Sequence, residues 1–427
     1  MSLRGVYRIL LVGILVIALS GTVWAAASYP IIVEIAADAD IKQVAHDLHA
    51  KVLDRLPEAR TYLLSVSSLS PSAYLTPGII HLEPDVTATV GKLRLGVLST
   101  RGTVEDWYRK QPALKLIQVD AAQAYSTGAG VVIADINSLV DYSHPALLGH
   151  LTGGYDFVSG RPSEANLNQS EATFLDQSSA GFLDQSSSAF LDQSTSSFLD
   201  QSDATFLDQS SSSFLDAANP AHGHGTLVAG IIAAIAPQSM IMPLRVFDDQ
   251  GQADAFGIAK AIRYATDHGA HIINMSFGVT DQSKMLNDAL AYAYKSGVTL
   301  VASAGNNNSD DPQYPAASEK VIGVGATDLL DLKAPFSNYG AFVEVTAPGV
   351  NIISGYPGGY YALVSGTSFS APIVAAEAAL IKSFQMRSDA RDKIGKGTVN
   401  IDHRNPGFAK KLGHGRIDVL SGIRDKK

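Results

Sequence analysis

The apolar positions of this chain change period along its length. Residues 29–35 are largely β-branched or aliphatic and predict a strand. Ile41, Val44, Ala45, Leu48 and Val52 recur at helical spacing and predict a helix. Residues 61–66 and 78–82 predict two more strands. Residues 28–83 therefore read as a small α+β unit, a sheet with its helices on one face. Residues 84–115, with prolines at 84 and 112, read as a connector. A second region, 116–422, starts with a buried strand at 130–136 that is apolar apart from Asp135. From about residue 225 helix and strand patterns alternate. Helices are predicted at 226–236, ended by Pro237, at 255–268, stopped by Gly269, and at 284–296, stopped by Gly297. Strands are predicted at 240–247, 271–275, 298–302, 321–326 and 342–346. Such alternation is the pattern of an α/β fold, a parallel sheet with helices on both faces. Ligands then bind at the carboxyl ends of the strands.

An insertion at 160–218 interrupts this pattern. Phe174, Phe182, Phe190, Phe198, Phe206 and Phe214 each precede Leu-Asp, at a spacing of eight. An even period puts equivalent side chains on one face of an extended strand, so short strands could stack a ladder of phenylalanines. The same Ser-rich composition also fits a disordered insertion. The glycine pattern of calcium-binding repeats is missing. A surface or adhesion role built on the repeat is a third functional class to keep in view.

Residues 1–27 have the form of a secretory signal. Arg4 and Arg8 precede an apolar run at 9–19, and Ala25-Ala26-Ala27 is a small-residue cleavage site. The run is shorter than the roughly 20 residues a membrane span prefers, so removal is expected. The mature chain is then secreted or periplasmic, with no membrane association. The 427 residues carry a net charge of −9 and no basic cluster with interleaved aromatics, which argues against nucleic acid as a partner. There are no cysteines, hence no disulfide and no thiolate metal site.

The candidate chemistry centres on Gly366-Thr367-Ser368-Phe369-Ser370-Ala371-Pro372. Proline is tolerated in a first helical turn, which places Ser368 at or just before a helix N-terminus. Orphan N–H groups and the positive end of the dipole there suit a nucleophile whose reaction develops an oxyanion. A serine needs a base to take its proton, and His224-Gly225-Thr226 offers one. Ala304-Gly305-Asn306 offers a side-chain amide for the oxyanion.

Together these segments resemble the subtilisin-like serine proteases, the subtilases, over roughly residues 107 to 422. His224–Gly230 is similar to the family's histidine segment and residues 274–278 to its substrate-binding edge strand. Residues 303–306 are similar to the oxyanion-hole segment and residues 366–372 to the serine segment. Tyr314-Pro315-Ala316, residues 336–340, Ala347-Pro348-Gly349 and residues 412–416 are supporting matches. The resemblance implies a subtilisin-like fold and a secreted endopeptidase made as a precursor, acting on polypeptides as a monomer. It implies Ser368 as nucleophile and His224 as base. Asn306 and the Ser368 N–H would be the oxyanion donors. Ser276, Phe277, Gly278, Ser303, Ala304 and Gly305 would line the first specificity pocket, with a broad preference for apolar or aromatic side chains. The family needs no cofactor. Its members often carry structural calcium, for which no ligand set is legible here. Residues 28–83 are similar to the family's propeptide, a ferredoxin-like unit that assists folding and inhibits until cleaved.

One position departs from the pattern. The third triad member should be an aspartate ending the first strand, within Asp-Ser/Thr-Gly and ahead of His-Pro. Counted from Gly130-Val131 or back from His144-Pro145, the slot holds Asn137, and the following glycine has become Leu139. An asparagine can present its N–H to the histidine and hold the wrong tautomer; in a chymotrypsin-type enzyme that change costs about 10⁴-fold in turnover. Asp135 lies two residues earlier on the same strand face and is the alternative acid for His224. A pseudoprotease of the same fold, used as a binding module, is the competing reading.

Overall fold

The computed structural model describes residues 28–90, 94–98, 106–163 and 221–424. The signal-like segment and the octapeptide repeat lie outside the described residues. Two compact units divide between Pro84 and Asp85.

The amino-terminal unit contains strands β1 (Tyr29–Ile35), β2 (Lys51–Leu56), β3 (Thr61–Val66) and β4 (Ile79–Pro84). They form a four-stranded sheet in the order β2-β3-β1-β4, antiparallel throughout. One helix, Ile41–Asp47, crosses from β1 to β2, and a short 3₁₀ turn, Pro71–Leu75, stands between β3 and β4. This order is that of a ferredoxin-like sheet. Ile31, Val33, Ile35, Val44, Leu64, Val66 and Leu82 form its core. The expected helix reaching to Val52 is shorter than its pattern implied. The chain turns at His49, which sits at φ 51°, and Val52 belongs to β2. A helical period held by chance across a strand start produced the wrong boundary.

The stretch read as a connector contains structure of its own. Strands β5 (Thr87–Thr89) and β6 (Arg94–Leu98) precede short helices at Asp106–Arg109, Pro112–Leu116 and Val119–Gln123. The central sheet follows. Its strands are β7 (Val132–Asn137), β8 (Tyr155–Asp156), β9 (Arg161–Pro162), β10 (Met240–Arg245), β12 (Ile272–Met275), β13 (Thr299–Ser303), β14 (Val321–Thr327), β15 (Val345–Pro348), β18 (Thr398–Val399) and β19 (Arg416–Ile417). The order is β18-β19-β15-β14-β13-β12-β7-β10-β8-β9, parallel from β19 to β8 and antiparallel at both edges. Strand β11 (Gln252–Asp254) pairs with β5 outside this sheet. A hairpin of β16 (Ile352–Tyr356) and β17 (Tyr360–Ser365) pairs with β6. The hairpin was not legible beforehand: it is buried on both faces, so it lacks the alternation that marks a half-exposed strand.

Two helices carry the candidate histidine and serine: the histidine helix, His224–Ile235, and the serine helix, Thr367–Phe384. They pack on one another, and the serine helix lies across β12, β13 and β14. A second pair, Ala255–Asp267 and Lys284–Lys295, packs together. The histidine helix is buried at every position, which is why its sequence is apolar all round with no polar stripe.

Pro372 is not in the first turn of its helix. The helix starts at Thr367, so Pro372 is its sixth residue and Ser368 its second. A proline there lacks the N–H that would bond the carbonyl four residues back, which is that of Ser368. The Ser276 hydroxyl donates to this carbonyl at 2.9 Å and supplies the missing bond. The proline thus ties the serine turn to the loop after β12.

Candidate active site

The loop after β7 and the start of the histidine helix are clamped together by short polar contacts. Ser138 Oγ donates to the Ala221 carbonyl at 2.7 Å and accepts from the Gly225 N–H at 3.1 Å. The Asp141 N–H donates to Thr226 Oγ1 at 2.9 Å. A Cβ on Gly225 would lie 2.6 Å from the carbonyl oxygens of Ser138 and Leu139, so only glycine allows this approach. The His-Gly-Thr spacing is therefore a docking device as much as a chemical one. It brings His224 Nδ1 to 2.7 Å from Asn137 Oδ1.

Asn137, not Asp135, is the partner of His224, and its amide faces opposite to the orientation feared from sequence. The Ser138 N–H, which can only donate, meets Asn137 Oδ1 at 2.8 Å. Asn137 Nδ2 points at the carboxylate of Asp135, 3.2 and 3.3 Å from its two oxygens. The carbonyl oxygen therefore faces His224, so Nδ1 carries the hydrogen and Nε2 the lone pair. His224 is 1% exposed, and among the described residues its Nε2 has no hydrogen-bond partner. Burial lowers its pKa to about 4, and among the described residues no carboxylate bonds to the ring.

Asp135 is completely buried. Burial raises its pKa to about 7, against the opposing effect of hydrogen bonds from Asn274 and Asn137. Asn274 Nδ2 donates to Asp135 at 2.9 Å and to Ser276 Oγ at 3.0 Å. With the bond from Ser276 to the Ser368 carbonyl, one buried polar chain runs beneath both candidate groups, from Ser368 to His224. Ser368 is 6% exposed, and its hydroxyl donates to the Ser276 carbonyl at 3.2 Å. Its neighbour Phe369 packs against the His224 ring, with centroids 5.7 Å apart.

The amide of Asn306 is oriented in the same way. Its Oδ1 accepts from the Thr367 N–H and from Thr367 Oγ1, both at 2.9 Å, which leaves Nδ2 on the side of Gly366. The loop that presents it is held by fully buried Asn338. That side chain donates to the Ala304 carbonyl at 3.0 Å and accepts from the N–H groups of Asn307 and Ser309. Gly305 has φ 102°, and a Cβ there would meet Asn338 Nδ2 at 2.5 Å. Thr367, Asn338 and Asn274 lie in segments matched from the sequence, but no role was assigned to them there. Their importance is one of contact across the chain, which spacing does not encode.

The segments expected to bind substrate end at the same edge. Ser276, Phe277 and Gly278 follow β12, and Ser303, Ala304 and Gly305 close β13, the neighbouring parallel strand. Phe277 is buried against Phe247, with ring centroids 5.2 Å apart. The cleft edge carries a feature missed in the sequence. Strand β5 pairs antiparallel with β11, Thr89 bridges to Gly278, and the Val90 N–H donates to the Gly251 carbonyl at 3.0 Å. Residues 87–90 thus lie as an extended strand between the two edges. A cavity of about 370 Å³ continues alongside Thr87, lined by Phe157, Val246, Asp248 and Ala253 among others. His222, two residues before His224, is packed edge-on against Tyr356. Among the described residues no three His, Cys, Asp or Glu side chains come together as a metal site, and no helix is long and apolar enough to cross a membrane.

A model of the subtilase family matches residues 128–415. The chain belongs to the subtilase family. It is 36% identical over 305 residues to the thermophilic serine proteinase of Bacillus sp. (strain AK1), covering 69% of this subtilase and 62% of that protein. It is 33% identical over 318 residues to thermitase of Thermoactinomyces vulgaris, covering 72% of this chain and 94% of thermitase. The fold is similar to that of fervidolysin from Fervidobacterium pennivorans, described as a keratinolytic enzyme related to subtilisin. The TM-score is 0.68 at 22% identity, over 94% of this chain and 61% of that one. This subtilase thus spans less than two thirds of two of these relatives and nearly all of the third.

Proposed function

We propose that this subtilase is a serine endopeptidase. Ser368 attacks the peptide carbonyl after rotation of its hydroxyl away from Ser276. His224 Nε2 takes the proton and returns it to the leaving amine. The Ser368 N–H and Asn306 Nδ2 receive the oxyanion, and Asn137 holds the His224 tautomer. The observation that carries this reading is the 2.7 Å contact from Asn137 Oδ1 to His224 Nδ1, with Nε2 left unpartnered among the described residues. A base in the correct tautomer is what a neutral asparagine must provide to be useful. Extended substrates add between β11 and the Ser276–Gly278 stretch, along the path that residues 87–90 take. The amino-terminal unit acts as a propeptide, and the protein works outside the cytoplasm. The signal-like start supports that placement, as does the likeness to the minor extracellular protease Epr of Bacillus subtilis.

Labelling with a fluorophosphonate tests the reading. Modification of Ser368 in the mature protein, after removal of the amino-terminal unit, and its loss in Ser368→Ala are expected. A mature, folded protein that takes up no label overturns it.

Asn137 in the aspartate slot, together with a cleft already holding residues 87–90, favours a second reading: a pseudoprotease that retains the fold as a binding module. Under it, the protein is folded and unlabelled, and binds peptides without cutting them.

A further inference from the structure

We propose that Asp135 is a positioning residue of the reaction: its carboxylate fixes the Asn137 amide so that oxygen, not nitrogen, faces His224. This rests on the protease reading above and explains how asparagine serves in a slot that otherwise requires a carboxylate. An asparagine side chain has two nearly isosteric orientations, and its surroundings choose between them. In the observed one, Oδ1 accepts from the Ser138 N–H and from His224, while Nδ2 donates to Asp135. In the reverse one, the Ser138 N–H would face an amide N–H and the carboxylate would face a carbonyl oxygen. Like would meet like at both ends. The His224 Nδ1–H would lose its acceptor, and the lone pair would move from Nε2 to Nδ1, away from the serine.

The placement of Asp135 fits no simpler role. It is fully buried, and no charged side chain among the described residues offsets it. Its neighbours across the two flanking strands are Pro243 and Asn274. The histidine helix, packed on the same face, carries His224 as its one titratable residue. The serine helix carries Glu377 and Lys382, the nearer of them about 2.5 turns beyond Ser368. A buried carboxylate without a cation is costly. Here each of its recorded hydrogen bonds comes from a primary amide that reaches onward to a candidate group. Asn137 reaches His224 directly, and Asn274 reaches Ser368 through Ser276. Asp135 takes up no proton in the reaction. The Ser368 hydroxyl proton passes to His224 Nε2 as the oxygen–carbon bond forms, and returns to the amine as the carbon–nitrogen bond breaks. Asn137 keeps both its hydrogens throughout.

Four versions of the full chain test the proposal: wild type, Asp135→Asn, Asn137→Asp, and the double variant that swaps the two residues. In the wild-type background Asp135→Asn is expected to lower kcat about 10- to 100-fold with KM little changed. In the Asn137→Asp background the same substitution should have an effect at least about tenfold smaller, because a carboxylate facing His224 has no orientation to choose. The wild-type pH profile should show a limb near pH 7, where Asp135 titrates, with activity higher on the alkaline side, and Asp135→Asn should lack it. A merely structural aspartate would lower Tm, cost the same factor in both backgrounds and leave the limb in place. That outcome, or an unchanged kcat in Asp135→Asn, overturns the proposal. The swap carries a conventional acid next to His224. Absence of both hydrolysis and Ser368 labelling from wild type and swap alike sinks the protease reading itself, and the proposal with it.

Discussion

Asn137→Asp is the most informative single substitution in this subtilase. It replaces the neutral oxygen 2.7 Å from His224 Nδ1 with a carboxylate oxygen. Were the wild-type amide turned the wrong way, the change would restore both the tautomer and the charge. The gain would then be about 10⁴-fold, or roughly 5.5 kcal/mol. With the tautomer already correct, only the charge remains to be gained. A neutral hydrogen bond contributes about 1 kcal/mol and one to a charged group about 1.5–3 kcal/mol. The difference as the imidazolium forms is therefore about 0.5–2 kcal/mol, or roughly 2- to 30-fold in kcat. The net charge of the site changes less than the substitution suggests. Asp135, already raised to about 7, takes up a proton beside the new carboxylate, so the charge moves toward the ring instead of doubling. The His224 pKa, lowered to about 4 by burial, should rise in the variant. The assay is kcat on a chromogenic peptide at pH 8, with NMR of the imidazole nitrogens to follow the tautomer. A gain near 10⁴-fold, or a wild-type ring protonated on Nε2, would refute the amide orientation. A loss of activity would show that charge at this position is not what limits the proposed reaction.

Thr367→Val removes one of two bonds to Asn306 Oδ1 and the acceptor for the Gly305 N–H. Because the shape is nearly kept, steady-state kinetics should show kcat lowered by about 10-fold, from a half-buried amide less well aimed at the oxyanion. Gly225→Ala forces a Cβ to 2.6 Å from two backbone oxygens, which cannot give way as a flexible side chain could. A loss of about 1–3 kcal/mol is expected in urea denaturation, together with a fall in kcat as His224 moves from Asn137. These two buried titratable groups, His224 and Asp135, pull stability in opposite directions with pH. His224 has a depressed folded-state pKa of about 4, so its contribution is complete above its ordinary 6.5 and declines as pH falls toward 4. Asp135 has a raised folded-state pKa of about 7, so its contribution is complete below its ordinary 3.8 and is lost as pH rises toward 7. Asp135→Asn should therefore be more stable than wild type at pH 8, by at most about 4 kcal/mol, with the gap closing near pH 4. An equal difference at both pH values in denaturant melts would count against the burial of an ionised Asp135.

The sequence by itself determined the fold class, the order of the alternating elements, and the short segments that carry Ser368, His224 and Asn306. These are local signals. A strand's apolar run, a helix stop at glycine, and a motif such as Gly-Thr-Ser each lie within a few residues. Its counts from Gly130 and from His144 agree on Asn137 as the slot facing His224, but it kept Asp135 as the alternative acid, and only the 2.7 Å contact in the fold decided between them. What it left open was the sense of the Asn137 amide, since one residue letter describes both orientations. Three groups brought together by folding decided that. The Ser138 N–H and the Asp135 carboxylate chose which end of the amide faces which way, and Gly225 let His224 approach it. Asn274 lies across the sheet from Asp135, and its hold on that carboxylate exists only because β12 and β7 are neighbours in register. The fold set the chemistry of the site through hydrogen-bond complementarity among buried groups, where no water can substitute for a missing partner.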